Sequence, residues 1–219
     1  MEISGENSLI VVGAWNPAIL SPAWILEEVL GYPSVQDVPV QMEFASVPGT
    51  MPKVTIEGIS YTPALDRFNL YPNELTDARL TSVENQVSRI LEIVPHTPVR
   101  AFGENFEFVE RSPTPEQLRI FNLQGNQIQE CNFINELHSV NIKQSYVVDD
   151  CILNLNQNLQ DGVLSIKFNF HYEVNNATTA RERLGNTYVT NLRRALSFIE
   201  IYGDVPESLN WALEERVGE

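Results

Sequence analysis

The sequence has little cysteine and little positive charge, and each shortage excludes a class of protein. Two cysteines, Cys131 and Cys151, are too few and too far apart for a disulfide framework or a zinc module, so we expect reduced thiols. Only 14 Lys and Arg residues stand against 29 Asp and Glu residues, which gives a formal net charge of -15. Because nucleic-acid-binding proteins usually carry a basic surface that attracts phosphate, this balance disfavours DNA or RNA as a partner.

Long apolar runs are also lacking. No segment approaches the roughly eighteen apolar residues that a transmembrane helix requires. The first residues, M-E-I-S-G-E-N-S, are acidic and polar, whereas a signal peptide starts with positive charge and continues into an apolar core. We therefore expect no contact with a membrane and a cytoplasmic location. With 219 residues, 43% of them hydrophobic, the chain is long enough to bury a core.

No motif for catalysis, a cofactor or a metal stands out. The sequence contains no G-x-S-x-G, no Walker or Rossmann glycine pattern, and no H-E-x-x-H or EF-hand spacing. Three histidines, His96, His138 and His171, are too few for a metal site without carboxylate or thiolate ligands. We predict no catalytic residues, no metal and no cofactor.

Alternation of apolar and polar residues is the strongest structural signal, and it is typical of half-buried antiparallel strands. The clearest case is Val163–Val174, in which Lys167, Asn169 and His171 lie on the polar side. Shorter strands are predicted at 9–12, 38–44, 54–56, 59–62, 68–70, 99–109, 140–148 and 151–155.

Two longer segments have apolar residues at three- and four-residue spacing, the pattern of an amphipathic helix. One runs from a Thr76 cap to Val94; the other is expected to begin at a capping box of Thr179 and Glu182 and to end near Gly203. Shorter helices are predicted at 22–30, 115–122 and 206–216. The sequence thus predicts an α+β protein, in which one or more antiparallel β-sheets are covered on one face by two long amphipathic helices.

A proline-rich connector, Arg111–Pro115, divides the chain. It predicts an N-terminal α+β half at 1–110 and a C-terminal α+β half at 116–219. Each half has strands followed by a long helix, and N-F-E-F from Asn105 faintly resembles N-F-H-Y from Asn169, so two similar packed halves are one alternative. A single compact domain fits the pattern equally well.

Candidate binding residues fall into three groups. The polar side of the predicted strands carries Lys143, Lys167, Asn169 and His171. The region of the last long helix carries Arg181, Arg193 and Arg194. For both groups an ordinary solvated surface is the alternative interpretation. Trp15 lies in a predicted turn, where it could contact a partner, although a position in the core is the alternative.

The absence of catalytic motifs favours a non-enzymatic protein that binds another protein, either a different chain or a copy of itself, as an adaptor or a subunit of a complex. The alternative is an enzyme or small-molecule-binding protein with a pocket between sheet and helices, for which His138 or His171 with Asp149 or Asp150 are the first candidates. A third interpretation, nucleic-acid binding, requires the Lys and Arg residues of 143–194 to share one face.

Overall fold

The computed structural model describes residues 1–5, 7–33, 38–44, 51–121 and 138–214, without the side chains of Ile120 and Glu214. Ten strands of these residues form one antiparallel sheet. Their bounds are β1 Glu2–Ile3, β2 Ser8–Gly13, β3 Val40–Glu43, β4 Lys53–Ile56, β5 Ile59–Pro63, β6 Arg67–Pro72, β7 Val99–Glu110, β8 Ser139–Val148, β9 Cys151–Gln160 and β10 Val163–Glu173.

The strands are ordered β3-β4-β5-β6-β2-β7-β10-β9-β8, and β1 pairs with the far end of β7. Strand β7 pairs with β2 on one side and with β10 on the other, so the sheet is continuous across the two predicted halves. Whether the chain divides into 1–110 and 116–219, or is a duplication, stays a prediction. The two similar tetrapeptides lie in neighbouring strands, with Asn169 directly opposite Asn105.

Two turns join strands with the backbone geometry that tight hairpins require. Glu57 and Gly58 both have positive φ, at 49° and 77°, and so do Asp161 and Gly162, at 50° and 76°. Positive φ at both central residues is the signature of the type I′ turn, whose twist matches that of the flanking strands.

Five α-helices lie in the described residues, and none of them is long and apolar enough to cross a membrane. Their bounds are α1 Pro22–Trp24, which continues as a π-helix over Ile25–Val29, α2 Asp77–Ile93, α3 Ala177–Arg183, α4 Thr187–Tyr202 and α5 Trp211–Glu214. Short 3₁₀ helices at Gln117–Phe121 and Glu207–Leu209 occupy parts of the predicted helices at 115–122 and 206–216.

Helix α2 and the long strands have the amphipathic character that the sequence predicts. The predicted cap of α2 is present, since Thr76 Oγ1 accepts a hydrogen bond from the Arg79 amide at 3.3 Å. On the strands, the apolar side of β10 is buried and Phe168 meets Phe198 of α4 at 5.4 Å between ring centres. The predicted α+β fold with an antiparallel sheet is therefore confirmed.

The last long helix differs from the prediction. Asn176, not Thr179, caps α3, and its Oδ1 accepts a hydrogen bond from the Thr179 amide at 2.8 Å. The chain then breaks at Gly185 and Asn186 before α4 begins. Asn186 has a φ of 66°, in the left-handed region that asparagine tolerates better than most residues. The apolar spacing continues across this break, so periodicity alone predicts a single helix.

The connector ends in a capping box. Thr114 and Gln117 exchange reciprocal bonds: the Thr114 amide donates to Gln117 Oε1 at 2.8 Å, and the Gln117 amide donates to Thr114 Oγ1 at 3.3 Å. Cys151 is a buried free cysteine. Cys131 and the Gln/Asn-rich segment around it lie outside the described residues.

Candidate functional site

A row of hydrogen-bonded side chains crosses the face of the sheet that the helices leave uncovered. We call this face the polar face and the row the asparagine ladder, which consists of Ser145, Asn154, Asn169, Asn105 and Ser8 on strands β8, β9, β10, β7 and β2. Cross-strand register produces it, because these residues lie opposite one another in successive strand pairs and therefore point to the same side.

The amides of the ladder all point in the same direction along the row. Ser145 Oγ donates to Asn154 Oδ1 at 2.8 Å, and Asn154 Nδ2 donates to Asn169 Oδ1 at 3.1 Å. Asn169 Nδ2 donates to Asn105 Oδ1 at 2.9 Å, and Asn105 Nδ2 reaches the Ser8 carbonyl at 3.3 Å. Asn154 and Asn169 thus each use one N–H and one oxygen lone pair within the ladder, which leaves each a second N–H and a second lone pair, whereas Asn105 Nδ2 also lies 3.4 Å from Ser8 Oγ.

Gly103 leaves room for the central amide of the ladder. Its neighbour across β7 and β10 is His171, one row away from the pair Asn105 and Asn169. A Cβ atom at position 103 would lie 2.9 Å from Asn169 Nδ2, closer than van der Waals contact allows. The lack of a side chain at Gly103 therefore permits the observed orientation of Asn169.

A cavity of about 690 Å³, which we call the trough, is lined by four residues of the ladder: Ser8, Asn105, Asn169 and Asn154. Lys53 and Thr62, from β4 and β5, line it together with Asn154 and Asn156 from β9. In a flat sheet β4 and β9 would lie six strand spacings, or about 29 Å, apart. Since both strands line one cavity, the sheet is curved and the polar face is concave.

All three lysines of the sequence lie on the polar face. Lys53 and Lys167 line the trough, and Lys143 lies opposite Asn156, whose other neighbour is Lys167. Of the described residues that line the trough, Glu107 is the one carboxylate, and its Oε1 lies 3.1 Å from Lys167 Nζ. Lys53 Nζ lies 3.7 Å from Glu43 Oε2 of β3, so two of the three lysines on this face are paired with carboxylates of the chain itself.

The environment of Glu107 keeps this carboxylate ionised. Partial burial acts to raise its pKa, but hydrogen bonds from Ser4, Ser165 and Lys167 act in the opposite direction and lower the pKa below its ordinary value. Glu107 therefore stays paired with Lys167 at neutral pH.

The structure separates the predicted binding residues into two surfaces. Lys143, Lys167, Asn169 and His171 all lie on the polar face, as the alternation predicts. The arginines belong to the helix layer instead. Arg181 of α3 lies 3.6 Å from Glu92 of α2, Arg194 of α4 pairs with Asp149 in the turn between β8 and β9, and Arg193 is also on α4. The lysines and these arginines do not share a face, which removes the geometric condition for the nucleic-acid interpretation.

Trp15 packs in the core, as the alternative interpretation predicts. Its side chain is 7% exposed, its ring meets Phe68 edge-to-face at 4.6 Å, and its Nε1 donates to the Val11 carbonyl at 3.2 Å. A contact role for Trp15 would require this packing to open.

The pairs proposed for an enzyme do not form. His138 contacts Asp161 at 3.4 Å, at the end of β8 opposite to the turn that holds Asp149 and Asp150. Asp150 lies 3.7 Å from Arg183, whereas His171 faces the polar side between Ile152 and Gly103. The described residues thus give these histidines other neighbours than the two aspartates.

A second polar cluster lies inside the protein, on the helix-covered face, and the sequence analysis missed it. Glu104 of β7 is fully buried, and Glu84 of α2 nearly so. Glu104 accepts a hydrogen bond from Asn191 of α4 at 2.6 Å, and Thr187 Oγ1 lies 2.6 Å from Glu104 and 2.8 Å from Glu84. The available signal was a carboxyl group at an apolar position of the alternation in β7.

This cluster holds a proton at neutral pH. A threonine hydroxyl has one hydrogen, so Thr187 cannot donate to two ionised carboxylates, and one of the two must be protonated. Burial, opposed by the hydrogen bonds from Thr187 and Asn191, raises the pKa of Glu104 to about 8. The proton therefore resides on Glu104, which donates to Thr187 of α4, and the Thr187 hydroxyl in turn donates to Glu84 of α2.

Comparison with known proteins gives no relative from which a role could be carried over. No family model, no curated protein and no solved structure matches this chain. Its function is therefore inferred from the asparagine ladder, the trough and the lysines around them.

Proposed function

We propose that the protein binds an extended, acidic segment of another protein along the asparagine ladder, without catalysis, as an adaptor or a subunit of a complex. The observation that carries this proposal is the ladder itself, a prearranged row of amides in a concave surface. A cytoplasmic location belongs to the proposal, and the buried free thiol of Cys151 is in keeping with a reducing compartment.

Side-chain amides are suited to recognising a polypeptide backbone. A peptide unit presents one N–H and one C=O, and the asparagine side chain offers the complementary acceptor and donor. Because Asn154, Asn169 and Asn105 are already fixed by their ladder bonds, little side-chain entropy is lost when a ligand binds. Backbone recognition of this kind is independent of the partner's side chains.

The lysines of the polar face favour extended segments that carry negative charge. Lys53, Lys143 and Lys167 lie on the polar face, whereas the chain as a whole carries a net charge of -15. An acidic segment can replace Glu43 beside Lys53 and approach the ammonium group of Lys143, so the lysines favour this face over the rest of an acidic surface.

The length and lining of the trough favour a polypeptide over a compact small molecule. The ladder spans five strands, which corresponds to about 19 Å at the usual spacing of a sheet. About six residues of extended chain cover this distance. Ten of the fourteen described residues that line the trough carry amide, hydroxyl or charged side chains, which suit the repeating polar groups of a polypeptide backbone.

The test is selection with a phage-displayed library of random dodecapeptides, followed by fluorescence anisotropy of the selected peptides. We expect enrichment of acidic sequences and a fall in affinity of at least about tenfold for Asn169→Leu, which keeps the side-chain size but removes the central amide. The matched control is Asn85→Leu, an exposed position on α2, which should bind like the wild type.

Gly103→Ala provides a second variant that leaves the fold intact. The new Cβ displaces the Asn169 amide, a movable group at the surface, so affinity should fall while the unfolding temperature stays within a few degrees. Equal binding by wild type, Asn169→Leu and Gly103→Ala contradicts the proposal, as does the failure of the library to yield any peptide that binds in the trough. Enrichment of basic instead of acidic peptides contradicts the charge argument.

A further inference from the structure

We propose that two copies of the chain join through strand β8, each β8 pairing antiparallel with the other about a two-fold axis at Gln144. Strand β8 ends the sheet, and its ten residues have no strand partner on the outer side among the described residues. A long edge strand with unpaired backbone groups is a template for adding another strand. This inference concerns the edge of the sheet and does not depend on what binds in the trough.

The backbone of β8 presents its free groups at alternate residues. At the start of the strand the Asp161 amide donates to the His138 carbonyl at 3.4 Å, and at the other end Val148 and Cys151 close the two-residue hairpin. Since hydrogen-bonded and non-bonded pairs alternate in an antiparallel ladder, the even-numbered residues of β8 bond to β9. The odd-numbered residues from 139 to 147 therefore direct their N–H and C=O groups to the open edge.

The side chains of β8 make the strand self-complementary. On the helix-covered side the strand reads Val140, Ile142, Gln144, Tyr146 and Val148. An antiparallel copy centred on Gln144 places Ile142 opposite Tyr146 and Val140 opposite Val148, so that apolar residues meet on both sides of the axis. On the polar face the same register places Lys143 opposite Ser145.

The neighbouring registers of the β8–β8 pairing are less favourable than the one centred on Gln144. An axis at Lys143 would place two ammonium groups directly opposite each other, which is destabilising. An axis at Ser145 would place Gln144 opposite Tyr146 and leave Val140 without an apolar partner. Charge and hydrophobicity thus both select the axis at Gln144.

The edge also exposes apolar surface that this pairing removes from water. Tyr146 is 43% exposed and Val147 is 85% exposed. Pairing about Gln144 forms about eight backbone hydrogen bonds, two for each opposed pair of outward-directed residues between 141 and 147. The product is one sheet that runs through both copies, with the two polar faces on the same side.

Sedimentation equilibrium of the full chain, from about 1 to 100 µM, tests the association. The wild type should be a dimer at the upper end of this range, and Tyr146→Lys, which places a charge opposite Ile142, should raise the dissociation constant at least about tenfold. Ile201→Lys is the matched control, because Ile201 is an apolar residue of α4 that is 76% exposed, away from the edge. A wild type that is monomeric throughout the range overturns the proposal, as does equal dissociation by both variants.

Cysteine cross-linking tests the register. Gln144→Cys places two thiols across the axis within the distance that a disulfide requires, so it should form covalent dimers under mild oxidation. Ile142→Cys alone should not, whereas mixing Ile142→Cys with Tyr146→Cys chains should produce the mixed dimer. The wild-type chain controls for Cys131 and Cys151. Cross-linking of Ile142→Cys as fast as Gln144→Cys overturns the assigned register.

Discussion

The single hydroxyl of Thr187 contacts two carboxyl groups, and the proton on Glu104 makes the stability of this part of the core depend on pH. Glu104, Glu84 and Thr187 come from β7, α2 and α4, so their hydrogen bonds join the sheet to both long helices. Asn191 adds a second bond to Glu104 and also donates to the Tyr172 hydroxyl at 2.7 Å. A protonated Glu104 satisfies this network, and ionisation would place a charge in an interior that disfavours it.

Replacement of Glu104 by glutamine should remove one source of pH-dependent stability. The pKa of Glu104 is about 8 in the folded protein, above its ordinary value of 4.5, so between these values the folded state binds more protons than the unfolded state. The free energy of unfolding therefore falls as the pH rises through this window, by at most about 1.4 kcal/mol per pH unit for one proton. Glu104→Gln keeps a donor for Thr187 and an acceptor for Asn191 but has no proton to lose.

The measurement is urea unfolding of wild type and Glu104→Gln at pH 5, 6.5, 8 and 9. We expect the stability of the variant relative to the wild type to increase with pH, because groups that titrate in both proteins cancel in the comparison. Parallel pH profiles for the two proteins would show that Glu104 does not carry the proton.

The sequence predicts which side of the sheet a residue faces, but not which residues it contacts, and the reason is physical. Alternation placed Lys167, Asn169 and His171 on the polar side, because the side a strand residue faces follows from its parity. It could not identify Asn105 and Ser8 as ladder partners of Asn169, since that pairing depends on which strands are neighbours. Glu104 was missed because a carboxyl group at an apolar position is satisfied only by residues distant in sequence, such as Thr187.

Local residue chemistry predicts where a helix starts better than whether the helix continues without a break. Ser21, Thr76 and Thr114 accept hydrogen bonds at the starts of their helices, and serine and threonine are residue types that favour this position. The break between α3 and α4 was missed because the apolar spacing runs through Gly185 and Asn186. Glycine and asparagine are themselves a local signal for a helix end, and Asn186 adopts the left-handed conformation, but periodicity alone does not use that signal.

The cap of α3 gives a prediction that separates the structure from the sequence pattern. Asn176→Ala removes the acceptor of the Thr179 amide and should lower the free energy of unfolding by about 1 kcal/mol. Thr179→Ala, at the position that the sequence pattern identifies as the cap, should change stability by less than about half as much, since the residue lies within the helix. Chemical denaturation at pH 7 compares the two variants. A larger loss for Thr179→Ala would contradict the assigned cap.

The central position of β7 in the sheet couples the unfolding of the two predicted halves. Strand β7 belongs to the N-terminal half, and one of its two long pairings is with β10 of the C-terminal half. Separating the halves would expose both paired edges and the buried aromatic residues between them. This order could not be predicted from the sequence, because patterns identify strands but not their neighbours.

The chain should therefore unfold in one cooperative transition. Trp15 and Trp24 report on the N-terminal half, and Trp211, whose Nε1 donates to the Leu75 carbonyl at 3.0 Å, reports on the contact between the halves. Far-UV circular dichroism follows the sheet. We expect coincident transitions and equal calorimetric and van't Hoff enthalpies. Two separated transitions would show instead that 1–110 and 116–219 unfold independently.

The pairing of β7 with β2 and β10 also sets the order of events when the chain is first made. Strand β2, near the start of the chain, reaches β7 only after some ninety further residues, and β7 reaches β10 only when residues 163–173 have been synthesised. Proteins dominated by such distant pairings fold slowly, since each loop must close before its contacts form. On the ribosome, β7 would wait with one edge unpaired until most of the chain has been synthesised, and during that interval the nascent protein is most exposed to aggregation.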